Sequence, residues 1–349
     1  MVTLALDAMG GDFAPDAAVL GAARLSLEPR APTVLLVGDE VRIRALLQTI
    51  PHDAARLPVH HAPDAISMDD EPRVVDERPE ASLPMAARLV RDGAADALVS
   101  AGNTGAVILA CARAFQRLDG VSRCALGAVY PTERRRGEKD DPFSLILDAG
   151  LTLDVTADDL VGFAVMGAAY ASRISRNERP RVALLSNGSE AHKGPAAVVE
   201  AHERLSRLSS LYFVGNVEGM DIPKGTADVI VTGGFVGNIV LKMLEGVADT
   251  VMNLGRYAFK KSLVYKAGLA LLAPAVRELR QITDWEQYGG APILGFDHVC
   301  IKAHGRSSER AIKNALKVAH KSVETGLVDA IRDGLAEARA EPLPARDTL

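Results

Sequence analysis

A chain of 349 residues, 48% hydrophobic and 24% charged, has enough apolar material to bury a large core and lacks the composition of a disordered segment. Its net charge of −5 gives no bulk attraction to nucleic acid or to an anionic membrane, so an anionic partner has to be met by a local basic patch. Aromatic residues supply only 4%, which leaves the packing to Ala, Val, Leu and Gly, and no apolar run approaches the ~20 residues of a membrane span.

Short runs rich in Val, Leu, Ala and Ile alternate with longer amphipathic runs, the pattern of βα units around a mostly parallel α/β sheet covered on both faces. Strands are expected at 3–7, 33–37, 96–100, 124–130, 143–148, 181–185, 211–214, 228–232 and 298–303, with helices between them. A helix near 83–92 follows Ser82, the expected N-cap, and Asp158 opens another that runs to about Arg176. A helix near 105–118 turns Val107, Ala110, Cys111, Ala114 and Leu118 toward the core. The charged stretch TERRRGEKDDP, 132–142, reads as a surface loop between two strands. Residues 237–282 read as two long helices with a turn near Leu269–Pro274, a protruding pair. No linker cuts the chain, so one α/β domain over 1–335 is expected, followed by a flexible tail over 336–349.

Cys111, Cys124 and Cys300 lie in apolar surroundings without CxxC or Cys/His spacing and read as core thiols in a reducing compartment, not as nucleophiles or metal ligands. GxxxxGK[ST] is missing and no GxGxxG opens the first helix, so neither a nucleotide nor a dinucleotide is expected, nor any other cofactor or metal. A metal- and nicotinamide-dependent dehydrogenase would need a helix-borne acidic cluster that the sequence does not offer. Met1 leads straight into a strand, which predicts no signal peptide and a cytoplasmic location.

Glycines and small polar residues follow the strands in DAMGGD (7–12), SAGNTG (100–105), LDAG (147–150), LSNGSEAHKG (185–194), VTGGFVGN (231–238) and AHGRSS (303–308). In a parallel sheet these turns are expected to gather at the carboxyl edge, where open α/β proteins bind ligands. Glycine lets backbone N–H groups approach a ligand, and a following helix adds its positive end, a chemistry suited to phosphate or another oxyanion. Each loop alone reads more readily as a plain turn; the recurrence of Asn103, Thr104, Asn187, Ser189 and Asn238 beside the glycines shifts the set toward a site. Lys193 is either the point charge for a phosphate or a solvated lysine.

In chain order, LALDAMGGDFAP (4–15), VSAGNTGAVILA (99–110), HKG (192–194), GFVGNIVLKMLEG (234–246) and YGGAPILG with IKAHGRSS and AIKNAL (288–316) resemble the PlsX family, the phosphate acyltransferases of bacterial phospholipid synthesis. The resemblance covers about residues 1–325. It implies a three-layer α/β/α sandwich related to isopropylmalate dehydrogenases and phosphotransacetylases, and a homodimer. It implies transfer of a long-chain acyl group from acyl carrier protein to inorganic phosphate, giving acyl phosphate. It also implies contact with the membrane face, where a membrane glycerol-3-phosphate acyltransferase would use the product. Phosphate is largely a dianion at neutral pH and a thiolate leaves readily, so such a reaction needs little general acid or base. Positioning and oxyanion stabilisation remain, and loops of N–H groups, Asn, Thr and Lys can supply both.

On that reading Lys193, Asn103, Asn238 and His304 are the expected catalytic side chains, His304 having a structural alternative. Asp7, Gly10, Gly11, Asp12, Ser100, Gly102, Thr104, Gly105, Gly188, Gly234 and Gly237 are the expected substrate-binding residues, the two acids orienting backbone donors. Arg306, Arg310, Lys313, Lys317 and Lys321 follow spacings of four, three, four and four, a stripe that either docks an acidic carrier or is a solvated face. In GLALLAPAV, Leu269, Leu271 and Leu272 are placed to dip into a membrane, with a dimer contact or buried hairpin as the alternative. Gly233-Gly234-Phe235, Thr152, Ser186-Asn187 and Pro84 depart from the family pattern. They leave open a paralogue that binds acyl chain or carrier without turnover.

Overall fold

The computed structural model describes residues 1–136, 141–260, 272 and 289–340. The strands are β1 (Thr3–Asp7), β2 (Thr33–Gly38), β3 (Val59–His61), β4 (Ala97–Ser100), β5 (Ala125–Arg136), β6 (Asp141–Leu147), β7 (Arg181–Leu185), β8 (Tyr212–Val217), β9 (Val229–Val231), β10 (Ala291–Leu294) and β11 (Val299–Lys302). The helices are α1 (Asp16–Ser26), α2 (Glu40–Leu47), α3 (Val74–Glu77), α4 (Ser82–Arg91), α5 (Thr104–Ala114), α6 (Ala157–Ser175), α7 (Ala196–Leu205), α8 (Asp221–Lys224), α9 (Gly234–Lys260), α10 (Glu309–Glu324) and α11 (Leu327–Ala340).

The period-two alternation of a strand sorts its side chains to two faces, and here both faces are covered. Leu4 and Leu6 pack with Leu36 and Val99 beneath α1 and α10, while Ala5, Val37 and Leu98 face α4 and α5. The second half repeats the scheme: Leu147, Leu184 and Val231 meet α6 and α11, and Ile146, Ala183 and Ile230 form the opposite face. The result is a three-layer α/β/α sandwich on an 11-stranded sheet of order β3-β2-β1-β4-β11-β10-β5-β6-β9-β7-β8.

The sheet is mostly parallel, as the alternation predicts, but its two halves run in opposite directions. β10 is antiparallel to both β11 and β5, and β5 is antiparallel to β6. The strands β3, β2, β1, β4 and β11 therefore run one way and β6, β9, β7 and β8 the other. The expectation that all six glycine loops share one carboxyl edge is overturned: three follow strands of each half.

Local departures have local causes. Ser82 does not cap α4; Ala81 holds the N-cap position, and the Ser82 hydroxyl turns to Asp7 instead. Asp158 does not open α6, because Thr156 caps it in a capping box with Asp159. The helix expected to reach 118 ends at Ala114, since Gln116 and Leu118 pair with Asp297 and Gly295 and the chain is drawn out alongside them. Leu118 is nevertheless buried. The charged stretch 132–142 is largely not a loop: β5 runs to Arg136, β6 begins at Asp141, and these two residues pair. β3 and β10, of three and four residues, are strands the sequence did not announce. α11 continues to Ala340 through the first part of the expected tail, with Arg339 donating to the Asp119 carbonyl. The second helix of the expected pair, with Leu269 and Leu271, lies outside the described residues; Leu272 is exposed.

Candidate active site

At the carboxyl end of the first half, Asp7 closes β1 and is buried. Its Oδ1 accepts from the Ser82 hydroxyl at 2.6 Å and its Oδ2 from the Ser100 hydroxyl at 2.7 Å. Burial raises its pKa, and the two hydroxyls, the Met9 N–H and the charge of Lys302 only partly offset that. Gly10 has to be glycine here. A Cβ would stand 2.4 Å from Asp7 Oδ2 and 2.8 Å from Gly102 N, so loops 7–12 and 100–105 meet backbone to backbone. Loop 303–308 joins them through the Asp12 N–H, which donates to the Gly305 carbonyl at 2.9 Å.

Asn103 is the N-cap of α5, its Oδ1 accepting from Ala106 N at 3.1 Å. Its amide hydrogens go to the carbonyls of Met68 and Asp70, at 3.0 and 3.3 Å. The structure thus assigns this side chain to holding loop 66–72 against the site, with exposed Thr104 and half-buried Gly105 on the first turn beyond it. His304 is exposed, and its Nδ1 accepts from the Arg306 N–H at 3.1 Å, which places the proton of a neutral ring on Nε2. Burial and the nearby positive charges of Lys302, Arg306 and Lys242 push its pKa down, so the ring is neutral at pH 7.

Sequence reasoning missed Lys302. It ends the apolar run of β11 and is only 6% exposed, its ammonium donating to the Ala303 carbonyl and, at 3.5 Å, to that of Ala101. Burial lowers its pKa to about 8 against the opposing influence of Cys300, Asp7 and Asp12. The signal was available: one lysine closing an otherwise apolar strand directly before a glycine loop.

The second half has its own buried carboxylate, Asp148, also unassigned from sequence. Its Oδ1 accepts from the N–H groups of Leu126, Gly150 and Leu151, and its Oδ2 from Thr152 N at 2.7 Å. Thr152 returns its carbonyl to Gly234 N at 2.8 Å, which seats the start of α9. Thr152 acts through its backbone in these contacts, and Pro84 lies in the first turn of α4, where a missing N–H costs nothing. Gly188 lies under the Lys193 side chain, whose described contacts stay within loop 185–194.

α9 links the two halves. Asn238, Lys242 and Glu245 follow i, i+4, i+7 spacing and share one helix face. The charges of Lys242 and Glu245 act on His304, so exposed Asn238 stands about one turn, ~6 Å, along the same face. Loops from oppositely directed strands are brought together by this helix, not by a common edge.

Along the predicted carrier stripe Arg306 and Arg310 are exposed; Lys313 and Lys317 both reach Glu28, at 2.6 and 2.7 Å, and Lys321 donates to the Ile174 carbonyl. A cavity of about 740 Å³ opens elsewhere, at the start of α6, near Arg123, Arg204 and Leu335. Arg204 is already bound by Asp158 at 2.7 Å, and the loops of Asp7 and Lys302 do not line it.

Solved structures with this fold include phosphotransacetylases and a dehydrogenase. One from Streptococcus pyogenes superposes with a TM-score of 0.60 at 16% identity, over 95% of this chain and 94% of that one. One from Staphylococcus aureus gives 0.58 at 16% identity, over 92% and 94%. A 4-hydroxythreonine-4-phosphate dehydrogenase from Klebsiella pneumoniae gives 0.53 at 15% identity, over 92% and 99%. The architecture is therefore the α/β/α sandwich of the phosphotransacetylases. Sequence comparison is more specific: a family model described as "Fatty acid synthesis protein" matches residues 2–330. A phosphate acyltransferase of Elusimicrobium minutum is 42% identical over 336 residues, 96% of each chain, and that of Myxococcus xanthus is 44% identical over 327 residues, 93% of this chain and 91% of the other. The chain belongs to the phosphate acyltransferase family of fatty acid and phospholipid synthesis, and it is an acyltransferase.

Proposed function

We propose that this acyltransferase moves a fatty acyl group from the thioester of acyl carrier protein to inorganic phosphate, releasing acyl phosphate and free carrier. The observation that supports the reading is the meeting of loops 7–12, 100–105 and 303–308 over a buried lysine, an arrangement whose chemistry suits an oxyanion. A phosphate oxygen attacks the thioester carbonyl, the tetrahedral oxyanion is stabilised by backbone N–H groups and by the His304 Nε2–H, and the carrier thiolate leaves. Asn238, on the α9 face whose Lys242 and Glu245 act on His304, is the proposed contact from the second half, on the side of the acyl group. The cysteines support attack without a protein thiol: all three are buried, and burial pushes Cys124 up to about 12.

Exposed Arg306 and Arg310 are the proposed contacts for the acidic carrier. Val236, Ile239, Met243, Val247, Val251 and Leu254 form an exposed apolar stripe along α9, the proposed contact with a second copy in a homodimer. Among the described residues no helix is long and apolar enough to cross a membrane. Contact with a membrane surface, or with a membrane glycerol-3-phosphate acyltransferase, is proposed as peripheral, by way of Leu272 and its neighbours.

The test is direct: purified protein, palmitoyl carrier and phosphate, with hydroxylamine to trap the product. Palmitoyl hydroxamate that requires phosphate supports the reading; thioester left intact under the same conditions overturns it.

A further inference from the structure

Lys302 is, among the described residues, the one lysine or arginine that is buried. Withdrawing an ammonium from water costs more than two carbonyl contacts regain, so packing alone favours an apolar residue at the end of the VCI run. What the lysine does touch is specific. Its ammonium holds the carbonyl of Ala101, in the loop after β4, and that of Ala303, in the loop after β11. A trans peptide places the next N–H on the side away from its carbonyl, so fixing these two carbonyls inward fixes the orientation of the peptide planes at 101–102 and 303–304. The positive charge also lies under the point where the glycine loops converge.

We propose that Lys302 is the positioning residue of the anion site, its ammonium clamping the two loops and supplying the positive charge beneath the phosphate they hold. This rests on the phosphate acyl transfer proposed above. Its consequence is a pH signature. Lys302 loses its proton at about 8, so anion affinity falls as pH rises through that value. The groups facing it are Asp7 and Asp12 from the β1 side, Cys300 on its own strand and His304, which in turn faces Arg306, Lys242 and Glu245. His304, with its pKa lowered, is neutral throughout the alkaline range, and phosphate is already a dianion there.

The experiment measures kcat and phosphate KM from about pH 6 to 10 for the wild type, Lys302→Arg, Lys302→Met and Cys300→Ala, alongside protection by inorganic phosphate against thermal unfolding. The wild type should lose kcat/KM for phosphate about tenfold per pH unit above ~8, with carrier KM unchanged within about twofold. Lys302→Arg should keep its plateau to higher pH. Lys302→Met should raise phosphate KM at least about tenfold at pH 7, show no alkaline limb and lose phosphate protection. Cys300→Ala should retain the limb. A wild-type profile flat to pH 10, a limb removed by Cys300→Ala, or wild-type phosphate protection in Lys302→Met overturns the proposal. Phosphate protection is read without turnover, so failure of the acyl-transfer reading and failure of this one give different results.

Discussion

Replacing Gly237 by alanine perturbs the joint on which the second half of the site depends. A Cβ at this position would stand 1.9 Å from the Asp148 carbonyl oxygen and 2.9 Å from Thr232 Cγ2. Ordinary contact needs roughly 3.2 Å, so the start of α9 has to retreat by more than about 1 Å, and the 2.8 Å bond from Gly234 N to the Thr152 carbonyl opens. Overpacking costs about 1–3 kcal/mol and the lost bond about 1, against at most ~1 kcal/mol gained from alanine's helix preference. The net expectation is about 2 kcal/mol of lost stability, read as a shift in urea midpoint without a change in slope. Asn238 moves with the helix, and a displacement of that size should lower kcat by up to ~100-fold. Gly246→Ala is the control: it lies on the same helix with nothing within 4 Å, so it should gain up to ~1 kcal/mol and keep full activity. If both substitutions behave alike in stability and in kcat, the close approach of α9 to Asp148 is not what seats the helix.

Further outcomes follow from the same contacts. Asn103→Ala removes a helix cap and two tethers to loop 66–72 and should cost about 1–3 kcal/mol while raising phosphate KM; Asn103→Asp keeps the cap and should recover part of the stability, both read by denaturation and initial rates. Arg310→Glu should raise carrier KM severalfold and leave phosphate KM alone, whereas Lys313→Glu, which sets two carboxylates together at Glu28, should act chiefly on stability, by up to about 1 kcal/mol. Ser82→Ala takes the hydroxyl from Asp7 Oδ1 and should lower the urea midpoint by about 1–2 kcal/mol of stability. Exposed Ser189→Ala in loop 185–194 should change neither reading.

Local features were legible in the sequence because their causes are local. β1 and β7 fall at 3–7 and 181–185, as their apolar runs predict, and every glycine loop follows its strand. The direction of the strands was not legible. It depends on three successive antiparallel pairs, β11 with β10, β10 with β5 and β5 with β6, and the two made by the short β10 join segments far apart in sequence or too short to leave a periodic trace. Of the candidate site, Asp7, Gly10 and His304 were marked by their neighbours. Lys302 was not, because a single charge at the end of an apolar strand reads as solvated until its burial is seen. Asn103 and Ser82 carry capping chemistry that the sequence advertises in both cases, yet only Asn103 caps a helix; what draws the Ser82 hydroxyl away is a carboxylate 75 residues distant.

On the proposed function, phosphate itself attacks the thioester at the site on β1, β4, β11 and α9, with no acyl group passing through the protein. Rapid mixing of enzyme with palmitoyl carrier, with and without phosphate, tests it by following release of the carrier thiol. No release is expected without phosphate and, with it, thiol and acyl phosphate should appear in equal amounts. A burst of about one thiol per enzyme in the absence of phosphate would contradict it.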